Sequence, residues 1–269
     1  MSRIAGIFER LKAEDRRALI GYLVGGDPTP AVTAPAMTAL AAGGVDIIEV
    51  GMPFSDPEAD GPDIQAGHER ALAAGTRLEQ VFAAVETFRA ADDRTGVVLM
   101  GYLNLVERQG PEAFAARAAA AGVDGMILVN LPPEEAGPLR EAFAPHGIDL
   151  ILLIAPTTTP ERARVILGAA SGFAYYVSLK GTTGAGHLDV DAVRAKLAEL
   201  RPLTDLPLAV GFGIKDRASA RAVADVADAV VVGSAIVRRM GEGAAAPDAI
   251  PARLTEFASE LRQAMDERA

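Results

Sequence analysis

Residues 45–65, VDIIEVGMPFSDPEADGPDIQ, hold the densest chemistry in the chain. An apolar run places the carboxylate Glu49 near its end, then opens into a loop with three prolines, two glycines and the acids Asp56, Glu58, Asp60 and Asp63. A strand that stops on an acid and enters a rigid polar loop is how an α/β enzyme presents a general acid or base. A buried structural carboxylate held by an ion pair accounts for Glu49 equally well on spacing alone.

Three glycine-bearing segments follow later apolar runs: SLKGTTGAGH at 178–187, GFG at 211–213 and GSA at 233–235. Glycine lets backbone N–H groups approach an anion, and a helix N-terminus adds unpaired donors and a favourable dipole. In succession they make Gly184, Gly213, Gly233 and Ser234 candidates for a phosphate site, although each glycine pair alone is what any turn needs. His68, His146 and His187 lack metal-ligand spacing and read as surface or satisfied-core residues. Lys180 sits in a Gly/Thr-rich loop and reads as solvated, not as a Schiff-base lysine. Phe212, between two glycines, faces either a pocket or packing.

Positioning such residues requires strands. Apolar runs at 19–24, 45–50, 97–102, 125–129, 148–154, 173–177, 207–210 and 229–232 read as strands. Helical periodicity fills segments near 30–42, 78–91, 111–121, 133–143, 160–167, 190–200, 218–226 and 251–267, with one more amphipathic helix near 4–12. The strands are continuously apolar, as expected when both faces are buried. Eight β/α alternations predict an α/β fold, a (β/α)8 TIM barrel with an extra N-terminal helix, as one domain over residues 1–269. An open doubly wound sheet would give the same count. In a barrel the strand C-terminal ends carry the site, which collects GGDP (25–28), Glu49, Tyr102, Asn104, Asn130, Tyr175 and the glycine segments.

Composition bounds the function. A net charge of −10 excludes an extended nucleic-acid interface but not a phosphorylated small substrate. The absence of cysteine excludes disulfides and thiolate catalysis. No secretory h-region or membrane-length apolar run is visible, so the expectation is a soluble cytoplasmic protein with no membrane partner.

The block 48–65, IEVGMPFSDPEADGPDIQ, resembles the signature of the tryptophan synthase α-subunit family nearly residue for residue. GGDP, MGYLN (100–104), LPPEE (131–135), LLIAPTT (152–158), GFAYYVS (172–178), VGFGI (210–214) and VGSAIV (232–237) agree with it in order and spacing. The resemblance implies a barrel that cleaves indole-3-glycerol phosphate to indole and D-glyceraldehyde 3-phosphate, a carbon–carbon lyase of L-tryptophan biosynthesis. It implies Glu49 and Asp60 as catalytic carboxylates. Tyr22, Tyr102, Leu131, Tyr175 and Phe212 would surround the indole ring, and Gly184, Gly213, Gly233 and Ser234 the phosphate. The loops 53–62 and 179–187 would be mobile.

The resemblance further implies no metal or cofactor in this chain and a β-subunit partner carrying pyridoxal phosphate, in an α2β2 heterotetramer that passes indole directly. Pro53, Asp56, Pro57 and Asn104 would lie at that interface, with ligand state reported to the partner allosterically. Where many relatives carry Asp, Arg and Pro, this chain has Asn130, Leu179 and Leu105. The first two remove charge beside the mobile loops. The alternatives are a stand-alone lyase, a non-catalytic activator of a β subunit, and another phosphate-binding aldolase or isomerase barrel. Intact Glu49 and Asp60 disfavour the second, and the lack of a convincing Schiff-base lysine disfavours the third.

Overall fold

The eight strands β1 (Ala18–Val24), β2 (Ile47–Gly51), β3 (Gly96–Gly101), β4 (Gly125–Leu128), β5 (Asp149–Ile154), β6 (Ala174–Val177), β7 (Leu208–Gly211) and β8 (Ala229–Val232) are parallel and follow one another around the sheet. β1 also pairs with β8, so the sheet closes into a barrel and the open-sheet alternative falls. The computed structural model describes residues 2–178, 189–211 and 213–267.

Twelve α-helices occur among the described residues: α1 (Arg3–Ala13), α2 (Pro30–Ala42), α3 (Pro62–Ala73), α4 (Leu78–Arg89), α5 (Leu103–Glu107), α6 (Pro111–Ala121), α7 (Ala136–Phe143), α8 (Pro160–Ala169), α9 (Val190–Leu200), α10 (Arg217–Ala224), α11 (Ser234–Glu242) and α12 (Ile250–Asp266). The sequence reading lacks α3, α5 and α11. α3 starts from Gly61 with Pro62 in its first turn, so residues that read as a loop are a helix start, where proline's missing N–H costs nothing. Among the described residues, no helix is long and apolar enough to cross a membrane.

Alternation within each strand builds two cores. One face, with Ile20, Ile47, Val98, Ile127, Ile151 and Val231, fills the barrel interior. The other, with Leu19, Leu23, Ile48, Val50 and Leu99, packs outward against the helices. α1 plugs the N-terminal end of the barrel, its Ile4, Ile7, Phe8 and Leu11 joining the interior cluster. Ser2 caps that helix by accepting the Ala5 N–H at 3.2 Å.

The same end carries a fourfold polar repeat. Asp46 accepts the Leu19 N–H at 3.0 Å, Asp124 the Val97 N–H at 2.8 Å, Ser171 the Leu150 N–H at 2.9 Å and Asp228 the Leu208 N–H at 2.7 Å. Each of these residues also donates its own N–H to the carbonyl of the residue it caps. A side chain ahead of every even strand thus pins the preceding odd strand, satisfying backbone groups where the ladder begins. Asp124 is 6% exposed and pairs with Arg3 and Arg89, the latter at 2.5 Å. Asp124→Ala leaves the Arg89 charge without its carboxylate, although its carbonyl acceptors remain, and the Val97 N–H without its side-chain acceptor. It is expected to cost about 3 kcal/mol in urea unfolding. A loss within error of zero would show the pin to be dispensable.

Candidate active site

The C-terminal mouth of the barrel encloses a cavity of about 440 Å³. The strands supply its walls in turn: Tyr22 from β1, Glu49 from β2, Met100 from β3, Val129 just past β4, Leu153 from β5, Tyr175 from β6 and Val231 from β8. Asp60 and Ile64 close one side, and Gly213, Gly233 and Ser234 another. The space is an apolar slot with the carboxyl groups of Glu49 and Asp60 in its wall and Asp216 beside Lys215, the shape of a site for a flat apolar group bearing a polar tail.

Glu49 is the third residue of β2, in register with Tyr22 and Val98 and 1% exposed. Its Oε1 has no hydrogen-bond partner. Burial alone lifts its pKa from 4.5 to about 8. At neutral pH the carboxyl is therefore mostly protonated, and an unpaired acid facing a cavity can donate a proton and take one back.

Asp60 is held differently. It is 4% exposed, and its Oδ2 accepts the Tyr102 hydroxyl at 3.1 Å. That hydroxyl accepts the Ala59 N–H at 3.0 Å. His68 Nε2 lies 3.6 Å from the same Oδ2. Gln65 donates its side-chain amide to the Asp60 carbonyl at 2.8 Å. Glu49 Oε1 has no partner, whereas Asp60 Oδ2 accepts from Tyr102 with His68 close by, which separates their chemistry.

Tyr22 and Tyr175 fill their positions because two strands end in glycine. A Cβ on Gly51 would lie 2.8 Å from Tyr22 Cζ, and one on Gly211 would lie 2.6 Å from Tyr175 Cζ. Burial first, then the charges of Asp60 and Glu49, raise both phenol pKa values well above the usual range. Both hydroxyls stay neutral and can act only as hydrogen-bonding groups.

The far end of the cavity favours an anion. Gly213 has φ of 77°, Gly233 precedes α11, and Ser234 is its first residue. Lys215 and Arg238 line the same region, and Arg238 Nη2 binds Asp63 Oδ2 at 2.6 Å. Backbone donors at the start of α11 favour an anion, with Lys215 and Arg238 nearby and the carboxylates Asp216 and Asp63 partly offsetting their charge.

A family model described as tryptophan synthase alpha chain matches residues 8–266. The chain is 57% identical over 266 residues to the tryptophan synthase alpha chain of Thioalkalivibrio sulfidiphilus, covering 99% of this chain and 100% of that one. It is 53% identical to that of Paraburkholderia phymatum, covering 99% and 97%. The chain belongs to the tryptophan synthase alpha chain family. Among solved structures, tryptophan synthase subunit alpha from Legionella pneumophila superposes with a TM-score of 0.92 at 40% identity, covering 100% of both chains. A Mycobacterium tuberculosis tryptophan synthase structure gives 0.90 at 40%, covering 98% of each.

Not every residue implied by the family resemblance lies in the cavity wall. Glu49, Asp60, Tyr22, Tyr175, Gly213, Gly233 and Ser234 do. Leu131 is absent from the wall of this cavity: it packs with the outer core cluster and lines a smaller cavity beside it, and the two cavities share Val129 and Leu153. Tyr102 reaches the site through Asp60 without lining the cavity. Gly184, Phe212, Lys180, His187 and Leu179, with the loop 179–187, lie outside the described residues.

Asp56 and Asn104 are exposed, and Pro53 and Pro57 half-exposed, on the β2–α3 loop and α5 at the barrel mouth. Asn130 accepts the Leu103 N–H at 2.8 Å, a bond its side-chain oxygen makes without a charge. Leu105 packs against the outer core. Sequence reasoning missed Met100, Val129, Leu153 and Val231, which look like any core residue, and His68, whose helix it did not find.

Proposed function

We propose that Glu49 carries the proton and Asp60 the electrostatic stabilisation in retro-aldol cleavage of indole-3-glycerol phosphate. The chain is a carbon–carbon lyase of tryptophan biosynthesis, by membership of a family whose reaction releases indole. The observation that carries the residue assignment is Glu49: buried, without a partner for Oε1, and titrating at about 8 in the wall of the cavity.

The proton balance follows. The Glu49 carboxyl protonates indole C3, turning the ring into a cationic indolenine. The resulting carboxylate then removes the proton of the adjacent glycerol hydroxyl. The C–C bond breaks, its electron pair returns to the ring, and the aldehyde forms. Glu49 ends protonated, ready for the next turnover, so no other acid or base is required. Asp60 accepts the indole N–H and stabilises the positive charge that develops on the ring. Tyr22 and Tyr175, with Met100, Val129, Leu153 and Val231, flank the ring. Gly213, Gly233 and Ser234 take the phosphate, with Lys215 and Arg238 supplying positive charge.

The exposed mouth, with Pro53, Asp56, Pro57 and Asn104, is the face we assign to a tryptophan synthase β subunit. That partner would hold pyridoxal phosphate and receive indole within an α2β2 assembly. The family's biosynthetic role supports a cytoplasmic location, and closure of all eight strands into one sheet supports a single domain. The test is indole release from indole-3-glycerol phosphate, with and without added β subunit. Release that rises on adding β is expected. No release under either condition contradicts the reading.

A further inference from the structure

His68 lies on α3, one turn and a half beyond the loop that carries Asp60, and is 2% exposed. Its two ring nitrogens face different parts of that loop. Nδ1 accepts the Phe54 N–H at 3.3 Å, at the start of the loop. Nε2 faces Asp60 Oδ2 at 3.6 Å, at its end. A nitrogen that accepts carries no proton, so the ring is the Nε2–H tautomer and its one N–H points at the carboxylate. At 3.6 Å the pair is longer than a hydrogen bond and acts as a close electrostatic contact.

The contacts form a circuit. Tyr102 donates to the same Oδ2, and its ring stacks on Phe54 at 4.7 Å with an interplanar angle of 22°. Phe54, His68, Asp60 and Tyr102 therefore close on one another, and the two ends of the loop are fixed by one helix residue and one residue just after β3. Both side-chain contacts fall on Oδ2. Oδ1 has no protein partner among the described residues and is left for the ligand. Behind the circuit, Arg70 ties α3 to the β1 loop through Asp27, at 2.7 and 2.8 Å, so the helix that carries His68 is itself anchored.

We propose that His68 is a positioning residue for Asp60, its Nε2–H fixing the carboxylate while its Nδ1 holds the loop start. This rests on the assignment of Asp60 above and adds the group that aims it. Misplacing an electrostatic group by about 1 Å costs up to 10²-fold in rate, so the effect belongs in kcat.

Two isosteric changes separate the two nitrogens. His68→Asn keeps an acceptor where Nδ1 lies and loses the donor toward Asp60. His68→Gln keeps a donor where Nε2 lies and loses the acceptor for Phe54. On indole-3-glycerol phosphate, His68→Asn is expected to lower kcat by roughly 10–10²-fold with KM little changed. His68→Gln should recover most of that rate. Retention of wild-type kcat by His68→Asn, or equal losses in both variants that follow their melting temperatures, would overturn the proposal. The ¹⁵N spectrum of the wild-type His68 ring tests it without any variant: protonated Nε2 is required, and protonated Nδ1 overturns it. Failure of the wild type to release indole would instead remove the reaction itself, a separate outcome.

Discussion

Glu49→Gln is expected to lower kcat for indole release by roughly 10²–10⁴-fold while leaving affinity for a non-cleavable analogue nearly unchanged. The amide matches the carboxyl in shape and adds no charge to the cavity, so the ring and phosphate contacts remain. It cannot give a proton to C3 or take one from the hydroxyl. The loss should appear equally in kcat and kcat/KM, the pattern of an interaction made only in the transition state. A variant within 10-fold of wild type would remove Glu49 from the proton path.

The same substitution has a stability signature. Burial lifts the Glu49 pKa to about 8, whereas the unfolded chain releases that proton near 4.5. Between those pH values the folded chain holds a proton that the unfolded chain has lost, so wild-type stability falls as pH rises. Glutamine does not titrate. Measured against its value at pH 4, the stability advantage of Glu49→Gln should grow through this window and level off above pH 8, at no more than about 5 kcal/mol. A pH-independent difference would mean that Glu49 is ionised throughout.

Asp60→Asn is expected to cost about 10²–10³-fold in kcat, by removing the negative charge that faces the cationic ring. Asparagine can still accept from Tyr102 and meet His68, so the loop keeps its contacts. KM should therefore move little. The two variants are distinguishable by pH. Asp60→Asn retains the limb of the rate profile near 8 that Glu49 produces, and Glu49→Gln loses it. If Asp60→Asn instead raised KM with kcat intact, Asp60 would be a ground-state binding group.

Much of this architecture was legible in the chain. Glu49 could be placed through the family block at 48–65, since spacing alone allowed a structural carboxylate equally well, and the strands because both their faces are buried. α3 was hidden since its opening, DGPDIQ, is punctuated like a loop, and with it went His68, whose partners lie on other elements. Leu131 lines the smaller neighbouring cavity while Val129 borders both, a division that depends on the turn after β4 and that spacing does not encode. Met100, Val129, Leu153 and Val231 look like core because they are core up to the level at which the cavity opens. The fourfold pin was visible in retrospect as an aspartate set just before three of the strands, at 46, 124 and 228.

The most direct test is a ¹³C titration of the Glu49 side-chain carboxyl in the folded protein, assigned by comparison with Glu49→Gln. A midpoint near 8 is expected, with Glu49 protonated at neutral pH and able to act first as an acid. A midpoint near the ordinary glutamate value of about 4.3 would show an ionised carboxylate, and the self-resetting proton cycle assigned to it would be contradicted.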